Sequence, residues 1–104
     1  MEYKAPMIVS AGPLTALPPG NATLVVADKE SVAVFNMGGT VYACSAACPH
    51  AGAPLSDGFI KGTVVTCPWH GWSFDLDAGP DAPPDGVLRY PVTIENGEIL
   101  VTLN

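Results

Sequence analysis

Basic residues are nearly missing from this 104-residue chain: four Lys and Arg stand against ten Asp and Glu, a net charge of −6. So few cations exclude nucleic acid, whose phosphates are held by Lys and Arg, and give no grip on anionic membranes. Long hydrophobic runs are missing too; no stretch approaches the roughly 20 apolar residues that a spanning helix needs. The start, Met1-Glu2-Tyr3-Lys4, has no basic region leading into an apolar one, so no export signal is expected. Cysteine is limited to three residues and histidine to two. An odd cysteine count does not build a disulfide framework. Two of the three cysteines stand beside the histidines, which points to metal ligation in a reducing compartment, the cytoplasm. No segment of useful length has helical periodicity, and there is no internal repeat, which argues against a helical bundle.

What is present describes a folded β protein. Hydrophobic residues make up 48% of the chain and charged residues 13%, too apolar a mixture for disorder. The length favours one domain with a modest core, so a bound cofactor matters for its stability. Gly and Pro number 11 each, implying many turns between short strands. Residues 22–27 read as a strand, 28–30 as a turn, and 31–36 as a second strand with Val32, Val34 and Phe35 apolar. Met37-Gly38-Gly39 turns the chain into a third strand from Thr40 to Ala43. Near the end, 88–95 alternates, with Leu88, Tyr90, Val92 and Ile94 on one face. Asn96-Gly97 then forms a hairpin turn, and 98–103 returns with Ile99, Val101 and Leu103 aligned.

Residues 44–86 differ in character: rich in Gly, Pro and Ala, they hold both His and all three Cys. Short strands are expected there at 59–60, 64–66 and 73–76, and a loop or flap at 77–86. Cys48-Pro49-His50 is a Cys-x-His pair and Cys67-Pro68-Trp69-His70 a Cys-x-x-His pair, with sixteen residues between His50 and Cys67. Each pair offers one thiolate and one imidazole, and two such loops can converge on one metal centre. Pro49 and Pro68 stiffen them; Gly52 and Gly71 let the backbone turn close by. A structural zinc ion also takes two Cys and two His, although zinc-finger spacings pair Cys with Cys and His with His. The mixed pairs suit a centre that sorts its ligand types onto two irons.

The runs Cys48-Pro-His-Ala-Gly-Ala-Pro-Leu-Ser-Asp-Gly and Cys67-Pro-Trp-His-Gly-Trp-Ser-Phe-Asp resemble the Rieske family over residues 22–103. The nearest likeness is to ferredoxins of ring-hydroxylating dioxygenases and to small subunits of assimilatory nitrite reductases. The resemblance implies the Rieske fold: an antiparallel β base sandwich, residues 1–43 and 87–104, with an inserted cluster-binding subdomain, residues 44–86. It implies one [2Fe–2S] cluster per chain, with Cys48 and Cys67 on one iron and His50 and His70 on the iron that takes the electron. It also implies that the outer ring nitrogens of both His form the electron port, that Pro68 and Trp69 line the docking face, and that Gly79–Pro84 is the family's proline loop.

The high-potential members of respiratory complexes carry an extra Cys in each loop, where this chain has Ala53 and Trp69, and hydroxyl donors where it has Trp72 and Phe74. Rieske centres span about −150 to +300 mV, and without those donors this one is expected near the low end. The implied partners are a flavoprotein reductase fed by NAD(P)H and a terminal oxygenase, or else the large subunit of a nitrite reductase, with the chain a monomer in isolation. Both His are committed to the cluster, so the chain offers no mononuclear iron site and no catalytic site of its own. The acids Asp75, Asp77, Asp81 and Asp85 would steer a basic partner. Trp72 is expected to pack under the second loop, and Cys44 to be a buried thiol outside the ligand set.

Overall fold

The computed structural model describes residues 7–27, 30–46, 54–68, 73–77 and 88–103. It is all-β, in three antiparallel sheets. The strands are β1 (Met7–Pro13), β2 (Ala22–Ala27), β3 (Glu30–Met37), β4 (Thr40–Ser45), β5 (Phe59–Lys61), β6 (Val64–Thr66), β7 (Ser73–Asp75), β8 (Arg89–Tyr90), β9 (Val92–Glu95) and β10 (Glu98–Leu103). One sheet has the order β1-β10-β9, the second β2-β3-β4-β8, and the small third β5-β6-β7. Short 3₁₀ turns occupy Leu14–Ala16 and Leu55–Asp57. No helix among the described residues is long and apolar enough to cross a membrane.

The run Val32-Ala33-Val34-Phe35 explains how the layers stack. Successive side chains of a strand point to opposite faces. Val32 and Val34 lie in one buried core with Leu17, Ala43, Ile99, Val101 and Leu103. Ala33, Phe35 and Met37 lie in a second core with Cys44, Ala46, Leu55, Val65, Cys67, Phe74 and Leu76. The four-stranded sheet is therefore covered on both faces, by β1 and β10 on one side and by the small sheet on the other. A strand buried on both faces reads as a continuous apolar run rather than an alternating one.

Most expected strands are found, with three differences. Residues 88–95 do not form one strand: the ring of Pro91 removes a backbone donor, and the chain breaks there into β8, paired with β4, and β9, paired with β10. The expected common apolar face is lost with it. Tyr90 and Val92 pack on the first core, but Leu88 and Ile94 are exposed. β1 was not anticipated; it pairs along β10 from Met7↔Leu103 to Pro13↔Glu98, with a bulge between Ser10 and Gly12. Its Gly12 and Pro13 and its bulge, which breaks the alternation, hide it from a periodicity reading. The third difference is small: Leu76 lies just past β7.

The Asn96-Gly97 turn is as expected. Both residues have positive φ, 51° and 76°, as a type I′ hairpin turn requires, and the register places Glu98 opposite Glu95. Asn36 is the one buried polar residue among those described, and its side chain is hydrogen-bonded through both its nitrogen and its oxygen. Its side-chain N–H donates to the Leu17 carbonyl (2.8 Å), and its Oδ1 accepts from Gly39 N–H (2.9 Å). It thereby ties the connection before β2 to the β3–β4 turn, at no cost of an unpaired buried group.

Candidate metal centre

The two motif segments begin and end on the same core. Residues 47–53 lie between Ala46 and Pro54. The Ala46 N–H donates to the Ser31 carbonyl (3.0 Å), and the Leu55 N–H donates back to the Ala46 carbonyl (2.7 Å), closing the segment at its base. The second segment, 67–72, is closed by the β6–β7 pairing. Thr66 stands opposite Ser73, and their hydroxyls are 3.0 Å apart. Ala46 and Leu55 from the first closure, and Cys67 and Phe74 from the second, all belong to the second core. Covalent connection alone does not bring residues 46 and 67 together; the shared core does.

Cys67 follows β6 directly and is 1% exposed. Thiolate ligands of metal centres sit in such places, at a hairpin end against apolar packing that limits water. The residues present therefore fit a sulfur-ligated group. Cys48, His50 and His70 lie outside the described residues. So do Trp69, Trp72, Gly79–Pro84, Asp81 and Asp85, and the expectations placed on them. Pro68 is half-buried, and Cys44 is buried, as expected, within β4 beside Ala43 and opposite Arg89.

The motif residues that are not ligand candidates have structural tasks. Leu55, the Leu of Leu-Ser-Asp-Gly, is fully buried. Gly58 ends the same run because a Cβ there would overlap the Thr66 carbonyl and lie 3.0 Å from that of Leu55. Phe74 fills the core at 2% exposure. The Asp75 carboxylate accepts from the Thr63 hydroxyl (2.8 Å) and the Asp77 N–H (3.0 Å). These bonds, with the Arg89 charge, hold it below the usual carboxylate range.

Tyr42 and Arg89, which the sequence reading passed over, tie the small sheet to β4 and β8. The Tyr42 hydroxyl donates to Asp77 Oδ1 (2.8 Å). That bond, then burial, then the negative charges of Asp77 and Asp75 raise its pKa above the ordinary value. Arg89 donates from Nε (3.2 Å) and Nη2 (2.8 Å) to the Asp75 carbonyl. Leu88 and Ser45 also exchange bonds: Ser45 N–H to the Leu88 carbonyl at 2.8 Å, and Leu88 N–H to Ser45 Oγ at 3.2 Å. No local spacing signals these contacts, since 35 residues separate Tyr42 from Asp77. Asp75 and Asp77 are exposed, but both are engaged in this frame.

A sheet covered on both faces, with a buried cysteine at a hairpin end and two Cys/His segments whose flanks close on one core, is the scaffold of a β protein that fits a metal centre. Residues 8–89 match the model of the Rieske [2Fe-2S] domain, and the chain belongs to that family. The match begins inside β1 and takes in both motif segments. The chain is 34% identical to the 3-phenylpropionate/cinnamic acid dioxygenase ferredoxin subunit of Escherichia coli, over 91% of this chain and 92% of that one. Among solved structures it resembles the ferredoxin of carbazole 1,9a-dioxygenase from Nocardioides aromaticivorans, with 35% identity, a TM-score of 0.82, and coverage of 97% of this chain and all of that one. It also resembles a Mycobacterium tuberculosis protein assigned as an NADH-dependent nitrite reductase small subunit, with 29% identity, a TM-score of 0.84, and coverage of 97% and 98%. The cofactor that goes with the family is a Rieske-type [2Fe–2S] cluster.

Proposed function

We propose that the protein is a Rieske ferredoxin, a one-electron carrier between an NAD(P)H-dependent flavoprotein reductase and a terminal oxygenase. The observation that carries this reading is the closure of both Cys/His segments on one buried core, in a chain that spans nearly the whole length of dioxygenase ferredoxins. Cys48, His50, Cys67 and His70 are the proposed ligands, in a subdomain of residues 44–86 set on a base of residues 1–43 and 87–104. When bound, the cluster supplies a centre that takes and gives single electrons. The protein's own part is to fix the two segments, to exclude water with Leu55, Val65 and Phe74, and to present an acidic surface to its partners. The cytoplasm is the proposed location, since the cysteines are then kept reduced until they bind metal.

The likeness to the nitrite reductase small subunit supports a second reading, a Rieske subunit serving a nitrite reductase large subunit. The test is an EPR spectrum of purified protein before and after dithionite, with an iron and zinc assay. The expected result is a histidine-ligated [2Fe–2S] signal on reduction and about two irons per chain, both lost in Cys67→Ser. A colourless, EPR-silent protein with about one zinc would refute the carrier reading. Turnover with a reductase–oxygenase pair, and none with a nitrite reductase large subunit, separates the first reading from the second.

A further inference from the structure

The outer face of the small sheet carries one strongly exposed large hydrophobic residue among those described. Val65 stands opposite Ile60 on one side and Phe74 on the other, and all three point into the second core. Their neighbours along the strands must point the other way. Two outward rows result: Phe59–Thr66–Ser73, and Lys61–Val64–Asp75. The first row is the one next to residues 67–72, because Thr66 and Ser73 immediately flank that segment. Phe59 ends this row at 69% exposure, the most exposed of the large hydrophobic residues described. It lies about 5 Å across the ladder from Thr66. The aromatic ring therefore stands largely in water on the row that leads into residues 67–72. Its surroundings are polar: the Thr66 and Ser73 hydroxyls, and exposed Asp57 two residues before it.

We infer that Phe59 is the apolar anchor of a lateral docking face, formed by the outer side of β5-β6-β7, for a redox-partner protein whose basic surface surrounds an apolar recess. The inference rests on the electron-carrier reading and adds the surface through which the partner is gripped. Charge selects the partner. The chain carries ten acids and four bases. Of the bases, Lys61 and Arg89 are among the described residues: Lys61 lies on this face in the second row, which it shares with Asp75, and Arg89 is turned inward to the Asp75 carbonyl. A basic partner is attracted to such a surface, while a buried aromatic ring supplies the short-range affinity.

The probe is cytochrome c, a basic haem protein, reduced by the protein's reduced cluster in stopped flow at low ionic strength; one electron passes and the ferric haem becomes ferrous. Phe59→Ala is expected to lower the second-order rate constant about tenfold. Its EPR spectrum and its rate with ferricyanide, a small anion that needs no docking face, are expected to stay unchanged. Asp57→Lys is expected to lower the rate with cytochrome c and flatten its salt dependence. Val26→Ala, which trims a residue 68% exposed on β2, is expected to leave it unchanged. A Phe59→Ala protein with an intact EPR signal and an unaltered rate overturns this inference alone, as does an equal loss in Val26→Ala. A wild-type protein without the signal overturns the carrier reading and this inference together.

Discussion

Gly58 and the Tyr42–Asp77 and Thr63–Asp75 pairs are where single atoms decide the behaviour of the site. A methyl group at residue 58 meets backbone, which cannot swing aside. Gly58→Ala is therefore expected to push β5 away from β6 and to destabilise the protein by about 1–3 kcal/mol. Urea unfolding with the iron content followed in parallel checks this. The two hydrogen-bonded pairs give opposite pH limbs. Asp75 is held below its ordinary value by Thr63, Asp77 N–H and Arg89. Its contribution is thus present above about pH 4 and is lost as pH falls through the lower folded value. Tyr42 is raised by its bond to Asp77, by burial and by nearby negative charge. Its contribution is present below about pH 10 and is lost as pH rises through the higher folded value. Thr63→Val is expected to weaken the acid limb and Tyr42→Phe the alkaline one, read from urea midpoints across pH.

Among the elements, β3 matters most, because its alternate residues serve two cores. Val34→Ala trims the core shared with β10 and is expected to cost about 2 kcal/mol, with the EPR spectrum unchanged. Phe35→Ala empties part of the core shared with Leu55, Cys67 and Phe74. It is expected to cost about 3–5 kcal/mol, a large share of the roughly 5–15 kcal/mol that holds a domain folded, and to speed iron loss to a chelator. Thermal unfolding and timed iron release separate the two variants; equal iron release from both would show that the two faces are not independent. Phe74, on β7, packs in the same core as Phe35. By the resemblance in sequence, it stands where the high-potential members are expected to carry a hydroxyl donor. Phe74→Tyr is expected to raise the reduction potential: a bond worth about 1 kcal/mol more to the reduced state corresponds to roughly 40 mV for one electron. Voltammetry of the two proteins checks it.

At the scale of the whole molecule, three layers share one middle sheet, so cluster binding is expected to be coupled to folding. Both Cys/His segments are flanked by residues of the core that β3 and β4 build. Holding their ends costs chain entropy, which ligand bonds offset when the cluster is bound. Removal of iron by a chelator under reducing conditions is expected to lower the melting temperature by roughly 5 °C or more. An unchanged transition would mean that the core alone fixes the segments. The net charge of −6 acts at this scale too: association with any basic partner is expected to slow as salt rises and the field is screened.

The sequence by itself determined the chemistry and most of the strands. Cys and His at matched spacing point to metal ligation, and runs such as Ala22–Ala27 and Glu98–Leu103 carry strand patterning in their own residues. Asn96-Gly97 specifies its turn because positive φ is a local property of those two residues. Only the tertiary structure decided that Pro91 divides the last strands between two sheets, that β1 closes along β10, and that Leu55, Cys67 and Phe74 meet against Phe35. It alone paired Tyr42 with Asp77 and Arg89 with the Asp75 carbonyl. Those contacts join residues far apart in the chain, and no local pattern encodes a distance that is set by how three sheets stack.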